Sequence, residues 1–416
     1  MEKQKAILLA IVENEYFNEK IDELKKLCAT INIEVTHVFT QNMSERKIGL
    51  LGKGKLEEIV DQNLEYDVVI AYQSCTPLDI RVLKETFNVD VLDKMRVILQ
   101  IFAMRAQSRL AKMEVELAAS LLERDELVGS YQGYSRQAGA SGSTSSRGSG
   151  EQQLQVDRRR VNQKIGRLKK DIEKEKRKQA ISKKRQHQHD LFTVALVGYT
   201  NAGKSTLTNT LLEMSNPIKA HKQVLSENQV FSSLDTTTRR IEIDNIPPFL
   251  LVDTVGFVID LPTELIASFN STLSIIQEAD VVVEVLDGSY DLSMQIDSIE
   301  KYTNNIEAHK KIVVINKKDQ LKKNHTPYLS ISAKTKENIS QLLDKIKEKR
   351  LDTMEFSQGY VHPSRVFEFY QYPDDVFVVN RKDNPMSVFV KVYINDRTQH
   401  LKQLLKANEE DCIQFH

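Results

Sequence analysis

Residues Gly198–Thr206 read GYTNAGKST, a G-x-x-x-x-G-K-[ST] run. An apolar stretch, TVALVG (Thr193–Gly198), leads into it, and a helix-like one, LTNTLLEM (Leu207–Met214), leads away. Strand, glycine loop and helix start in that order make a phosphate cradle, whereas a plain Gly-rich turn lacks the two flanks. The glycines let backbone N–H groups face phosphate oxygens, and the helix N-terminus adds the positive end of its dipole. Gly198, Tyr199, Thr200, Asn201, Ala202, Gly203, Lys204, Ser205 and Thr206 are therefore candidate nucleotide-binding residues. Lys204 is expected to reach the β- and γ-phosphate oxygens and to act in catalysis, and Ser205 to ligate Mg²⁺.

Two later stretches select the base. NKKD (Asn316, Lys317, Lys318, Asp319) follows the strand-like KIVVI. A carboxylate at Asp319 can accept both N1–H and the exocyclic N2–H of guanine, a donor pair that adenine lacks. The stem of Lys317 would lie over the ring. SAK (Ser332, Ala333, Lys334) follows YLSIS, and the Ala333 N–H can donate to guanine O6. Together these motifs separate a GTP site from the many P-loop ATP sites.

Two further stretches serve the γ-phosphate. FLLVDTVGF (Phe249–Phe257) is an apolar strand ending in D-x-x-G, with Asp253, Thr254, Val255 and Gly256 at its end. Asp253 would hold Mg²⁺ through a water, and the Gly256 N–H would bond the γ-phosphate, giving that residue a catalytic part. Loss of the phosphate then frees the following segment to switch. FSSLDTTTRR (Phe231–Arg240) offers hydroxyls for the metal. Its Phe231, Ser232, Ser233, Leu234 and Asp235 join the candidate site, with Ser233 first as ligand and Thr237 second.

Phe257 follows Gly256, where many GTPases carry a glutamine that orients the attacking water. A phenyl ring accepts no hydrogen bond from water. Slow intrinsic hydrolysis is expected, with water placed by backbone, a metal ion or a partner. Asn201, inside the phosphate loop, is either a ligand for K⁺ or a hydrogen bond tying the loop down.

A chain of 416 residues is expected to hold two or three domains. No apolar run approaches the ~18 residues of a membrane span. The start, MEKQKAILLAIVENE, reads as a strand and not as a signal peptide. Cys28, Cys75 and Cys412 are an odd number without C-x-x-C spacing, which points to reduced thiols and a cytoplasmic location.

The fold class expected is α/β: a P-loop G domain, an N-terminal α/β domain bearing a long helical hairpin, and a small C-terminal α+β module. Residues 1–92 alternate strand-like KAILLAIV, IEVTHVFT and YDVVIAY with helix candidates Asn18–Cys28, Lys55–Gln62 and Leu78–Phe87. LLGKGKLEEI (Leu50–Ile59) reads as a helix entry. Residues 93–190 form the hairpin, with one helix from about Asp93 to Glu126 and another from about Gln152 to Gln186. Leu154, Val161, Ile165, Leu168 and Ile172 make a narrow seam suited to one partner helix. The G domain occupies 191–350. Residues 351–416 follow, with strand-like RVFEFYQY, DVFVVN and MSVFVKVYI, then helix-like Asp396–Ala407.

Between the hairpin helices lies GSYQGYSRQAGASGSTSSRGSG (Gly129–Gly150), with six glycines and no acid. Composition favours a flexible linker. Tyr131, Tyr134, Arg136 and Arg147 at a hairpin tip also suit contact with RNA. Arg158–Arg185 carries fourteen Lys/Arg against three acids, so a net charge of zero hides a strong asymmetry. That run either binds a polyanion, beginning with Arg158 and Arg159, or is a solvated helix face with pairs such as Glu173–Arg177.

GYTNAGKSTL, FSSLDTTTR and LVDTVGFVIDLPTELIASFNSTL resemble the G domain of the HflX GTPases, bacterial relatives of the Obg-type GTPases that act on the ribosome. The resemblance continues through LGKGKLEEI, IFAMRAQSRLAKMEVELA and GSGEQQLQVDRRR and covers essentially the whole chain. The final module is the least diagnostic part. The resemblance implies GTP-dependent binding to the large (50S) ribosomal subunit and its rRNA, with splitting of stalled ribosomes. Gly129–Gly150 would be the rRNA-contacting tip, and the Arg158–Arg185 helix a contact to backbone phosphates. Ser149 stands where the family usually has proline, Gln155 where it has glutamate, and Ser233 where it more often has threonine.

The expectation is thus a monomeric cytoplasmic GTPase that docks on ribosomes with GTP bound and leaves after hydrolysis. Two rivals stand beside it: a GTPase factor in ribosome assembly or RNA maturation, and a non-catalytic RNA-binding module with a structural nucleotide.

Overall fold

The computed structural model describes residues 3–12, 17–43, 46–106, 108–137, 147–186, 191–215, 237–254, 276–321 and 327–409. The chain divides into two compact units, with the main boundary in sequence between Arg185 and Gln186.

The first unit opens with β1 (Gln4–Ile11), α1 (Phe17–Thr30), β2 (Ile33–Gln41), α2 (Lys53–Asp61), β3 (Val68–Ala71), α3 (Pro77–Phe87) and β4 (Asp90–Asp93). The strands form a parallel sheet in the order β2-β1-β3-β4. β1 is buried from Ala6 to Ala10, as a strand covered on both faces requires, which explains its unbroken apolar run. Thr76 and Asp79 close a capping box at the start of α3, with Pro77 in the first turn. The Gly-rich stretch before α2 is a helix entry, with Gly52 as N-cap.

The long helix expected from Asp93 is interrupted. Asp93 ends β4 and caps α4 (Lys94–Arg105), accepting the Arg96 N–H. Ala106 is extended, and Ser108 restarts a helix by accepting the Ala111 N–H on its Oγ at 3.1 Å. This is ordinary serine capping that Met-, Ala- and Arg-rich composition concealed. α5 (Arg109–Gln137) and α6 (Arg147–Gln186) both run into the Gly-rich stretch. A wholly flexible linker over 129–150 is therefore corrected: 129–137 and 147–150 are helical, at the modest cost of isolated helical glycines.

Val161, Ile165, Leu168 and Ile172 of α6 cluster with Leu110 and Leu117 of α5, so the narrow seam forms. The Leu154 side chain lies outside the described residues. Lys164–Glu116 at 3.0 Å and Lys176–Glu114 at 3.1 Å link the two helices, the latter to a glutamate only 1% exposed.

The second unit contains β5 (Thr193–Gly198), α7 (Lys204–Met214), β6 (Thr237–Ile241), β7 (Phe249–Asp253), β8 (Val281–Asp287), α8 (Leu292–Thr303), β9 (Lys311–Asn316), β10 (Leu329–Ser330) and α9 (Ile339–Leu351). Its sheet has the order β10-β9-β8-β5-β7-β6 and is parallel except for β6. The chain then makes β11 (Glu355–Val361), β12 (Val376–Asp383) and β13 (Val388–Ile394), an antiparallel sheet in the order β11-β13-β12.

RVFEFYQY is not a strand. Pro363–Tyr370 is a 3₁₀ helix that buries Val366 and Phe369, three residues apart, and leaves Phe367 and Tyr370 exposed. The period is three, the 3₁₀ repeat, and His362 and Pro363 start it. The expected last helix is also 3₁₀, over Asp396–Leu404, and is broken at Thr398.

This small sheet is tied to the G sheet by two arginines. Arg240 of β6 donates to Asp374 Oδ1 and Glu242 Oε1, each at 2.6 Å. Burial works against its charge, but the two carboxylates outweigh that and hold its pKa above the ordinary value. Arg350 of α9 donates to the Asp374 carbonyl at 2.6 Å and lies 5.0 Å over the Phe192 ring. Burial pulls its pKa below the ordinary value against the pull of nearby aspartates.

Candidate nucleotide site

β5, β7, β8 and β9 run parallel, so their carboxyl ends share one edge. Gly198, Asp253, Asp287 and Asn316 are the last residues of those strands. β5 has β7 on one side and β8 on the other, the reversal of strand order at which open α/β sheets bind ligands.

The phosphate loop turns through left-handed Asn201 (φ 66°) and Gly203 (φ 90°) into the start of α7. A Cβ on Gly203 would come within 2.2 Å of Asn316 Nδ2, so only glycine permits this approach. Lys204 is 6% exposed, and its Nζ donates to the Gly198 and Tyr199 carbonyls, each at 2.7 Å. Its ammonium is thereby held within the curve of its own loop. Ser205 and Thr206 stand exposed in the first turn of α7.

One amide joins the phosphate side to the base side. Asn316 Nδ2 donates to the Ala202 carbonyl at 2.8 Å, and Asn316 Oδ1 accepts the Ala333 N–H at 2.9 Å. The sequence assigned that N–H to guanine O6; here Asn316 takes it. Thr210 of α7 donates to the Ala333 carbonyl at 2.7 Å, fixing the same loop from the other side. Buried Ser332 donates from Oγ to Asp319 Oδ1 at 2.9 Å, while Asp319 itself is exposed. A hydroxyl on one oxygen orients the carboxylate and leaves lone pairs for a base.

Lys317 takes a left-handed turn (φ 61°), and its Nζ reaches Asp287 Oδ2 at 2.5 Å. Asp287 is 3% exposed and also accepts from the Ser289 N–H and Oγ. The lysine stem is thus stretched between two strand ends. Sequence reasoning missed Asp287: it ends the strand-like VVVEVLD, but no motif marks it. Thr210 was missed for the same reason.

Asp253 closes β7, beside Leu196 of β5. Buried Thr254 donates to the Leu196 carbonyl at 2.6 Å, a bond that holds the strand end in place. Lys318 pairs with Glu337 at 2.5 Å, and Lys334 is exposed. Phe231, Ser232, Ser233, Leu234, Asp235, Val255, Gly256 and Phe257 lie outside the described residues, as does the Thr237 side chain.

Three family models match in succession: "GTP-binding GTPase N-terminal" over 18–103, "GTP-binding GTPase Middle Region" over 105–186 and "50S ribosome-binding GTPase" over 193–317. The GTPase HflX of Caldanaerobacter subterraneus subsp. tengcongensis is 34% identical over 355 residues, covering 83% of this chain and 80% of that one. The GTPase HflX of Escherichia coli K12 is 31% identical over 362 residues, covering 82% of each. This chain belongs to the HflX GTPase family. A solved SsGBP–GDP complex matches with a TM-score of 0.51 at 22% identity, covering 83% of this chain and 98% of that one, and supports the fold.

As an HflX-family member the protein binds GTP and hydrolyses it. Among the described residues no helix is long and apolar enough to cross a membrane. Tyr131, Tyr134, Arg136 and Arg147 fall on the hairpin helices, with side chains outside the described residues. Arg158 and Arg159 are exposed on α6, and Arg177 is paired with Glu173 at 2.5 Å.

Proposed function

We propose that this GTPase binds the large ribosomal subunit in its GTP form, splits or rescues stalled ribosomes, and leaves after hydrolysis. The observation that carries the reading is the match of residues 193–317 to a 50S ribosome-binding GTPase, in a chain whose α6 presents exposed Arg158, Arg159 and Arg160. Those three arginines form no ion pair with a described residue, unlike Arg177 further along the helix. Unpaired cations on a helix supply the salt-sensitive attraction that a phosphate backbone rewards. The protein would act in the cytoplasm as a monomer.

In the site, Lys204 exchanges loop carbonyls for β- and γ-phosphate oxygens, and the Gly256 N–H meets the γ-phosphate. Asp319, oriented by Ser332, reads the guanine edge, and the Lys317 stem covers the ring. Ser205 and Ser233 hydroxyls, with the Asp253 carboxylate acting through a water, are hard oxygen donors that suit Mg²⁺, with Thr237 as a second choice to Ser233. Bound there, the ion would supply charge that neutralises the phosphate oxygens. Asn201 offers an exposed side-chain oxygen for K⁺. With Phe257 after Gly256, hydrolysis is slow until a ribosome places the water.

The test is the GTPase rate with and without purified large subunits, together with sedimentation of 70S particles. Stimulation with conversion to free subunits supports the reading. Stimulation without splitting, and accumulation of precursor particles in cells lacking the protein, favours an assembly or RNA-maturation factor instead.

A further inference from the structure

The antiparallel sheet β11-β13-β12 buries one face on Val361, Val366, Phe369, Val388, Val390 and Val392. Its other face is organised in three rows by strand register. The first row aligns Phe356, Tyr393 and Phe377. The second aligns Gln358, Lys391 and Asn380. The third aligns Tyr360, Phe389 and Lys382.

Aromatic rows therefore flank a row of amides and one ammonium. Alternate residues along a strand sit about 7 Å apart, so the two aromatic rows are separated by about 13 Å. Phe356 meets Tyr393 edge-on at 5.3 Å, and Tyr360 meets Phe389 at 5.1 Å, each pair inclined by 60°. Phe356 keeps 48% of its surface exposed, and the other rings of the two pairs are partly exposed. Lys347 of α9 places its Nζ 5.1 Å over the Phe377 ring and adds a third cation at the rim.

None of the nine outward positions is acidic. The two acids in these strands are otherwise engaged: Glu355 is paired with Lys402, and Asp383 with Arg381 at 2.8 Å. The nine paired positions hold no aliphatic side chain; Val379, the extra residue at the β12 bulge beside them, is an exposed aliphatic at 48%. Rings that offer flat faces, amides that can read base edges and the Lys391 ammonium between the aromatic rows match single-stranded nucleic acid, while Lys382 at the edge also feels the Glu409 carboxylate.

We infer that the open face of the C-terminal sheet, centred on Phe356, Tyr393 and Lys391, binds single-stranded RNA by stacking unpaired bases. This goes beyond the ribosome-splitting reading and does not require it, because none of the nine positions belongs to the hairpin or to a GTP motif.

The chain contains no tryptophan, so Phe356→Trp creates a single reporter within the proposed contact. The full-length variant is titrated with a single-stranded oligouridine and with a duplex of equal length, with emission excited at the red edge. Quenching by the single strand, at lower concentration than by duplex, is expected, because bases stack on the indole. Lys391→Glu in the same background should weaken the single-strand titration by about tenfold or more. Phe356→Ala in the unlabelled chain should weaken binding of a dye-labelled oligouridine, with GTPase activity and thermal melting unchanged. Arg158→Glu, on the hairpin, should leave the quenching in place.

No quenching at high RNA concentration, or a quench indifferent to Lys391→Glu, overturns the inference. Quenching by intact large subunits but not by protein-free rRNA overturns it too, and assigns the face to a protein. A failure of subunit splitting would leave these readouts untouched, so the two proposals fail separately.

Discussion

Asn316 Nδ2 stands 2.8 Å from the Ala202 carbonyl, so the base-reading loop and the phosphate loop share one side-chain amide. Its Oδ1 serves Ala333 at the same time. Asn316→Ala would leave a buried N–H and a carbonyl without their partner, at about 1–3 kcal/mol of stability. GTP and GDP affinity should fall together, because both nucleotides share the base and the β-phosphate. Fluorescent-nucleotide titration and a thermal melt check this. A large loss for GTP alone would refute it.

Asp287 holds the Lys317 ammonium at 2.5 Å and nothing of it belongs to a recognised motif. Asp287→Asn keeps the shape and removes the charge. Guanine nucleotides should bind about tenfold to a hundredfold more weakly, the range of a charge-assisted hydrogen bond. Affinity measured for GDP decides it, since the γ-phosphate plays no part in the comparison.

Lys204→Ala should abolish detectable GTP binding, because the loop loses its only ammonium. Asp319→Asn should reduce the preference of GTP over ATP, while phosphate contacts survive. Competition binding with both nucleotides separates the two effects. Equal loss of both nucleotides with Asp319→Asn would place the discrimination elsewhere.

Asn201 is tested with the cation alone. GTPase rates in KCl above those in NaCl at equal ionic strength would support an ion at the loop. Equal rates remove it.

Burial pushes the Cys28 and Cys75 thiols up to about 12. At pH 8 both stay protonated and slow to react with disulfide reagents, so native protein should show at most one fast thiol. Denaturant should reveal all three cysteines of the chain. The sign of the stability effect follows. An unfolded thiol releases its proton near pH 9 while the folded one retains it, so stability falls as pH rises from about 9 towards 12. Two fast thiols at pH 8 would contradict the burial.

Much of the site was legible because phosphate loops and guanine loops are local. GYTNAGKST and NKKD carry their geometry in a few consecutive residues, and strand-like runs placed them at strand ends. The Asp287–Lys317 pair was not legible, since it joins residues thirty apart whose approach depends on β8 and β9 lying side by side. The Asn316 Oδ1 acceptor of the Ala333 N–H was not legible either, because a motif names the residue and not the groups around it. The break at Ala106 was hidden by strong helix formers on both sides, although Ser108 was a readable cap. RVFEFYQY was read as a strand on its β-branched and aromatic content, whereas Pro363 and a three-residue burial period made it 3₁₀.

Asp374 takes Arg240 on its carboxylate and Arg350 on its carbonyl. A fragment ending at Leu351 would strip both guanidinium groups of these acceptors and open the patch that shelters them. Melting curves or turnover recorded on such a truncation would describe the damage of the cut, and β6, which follows the 231–235 stretch, would be the first strand to register it.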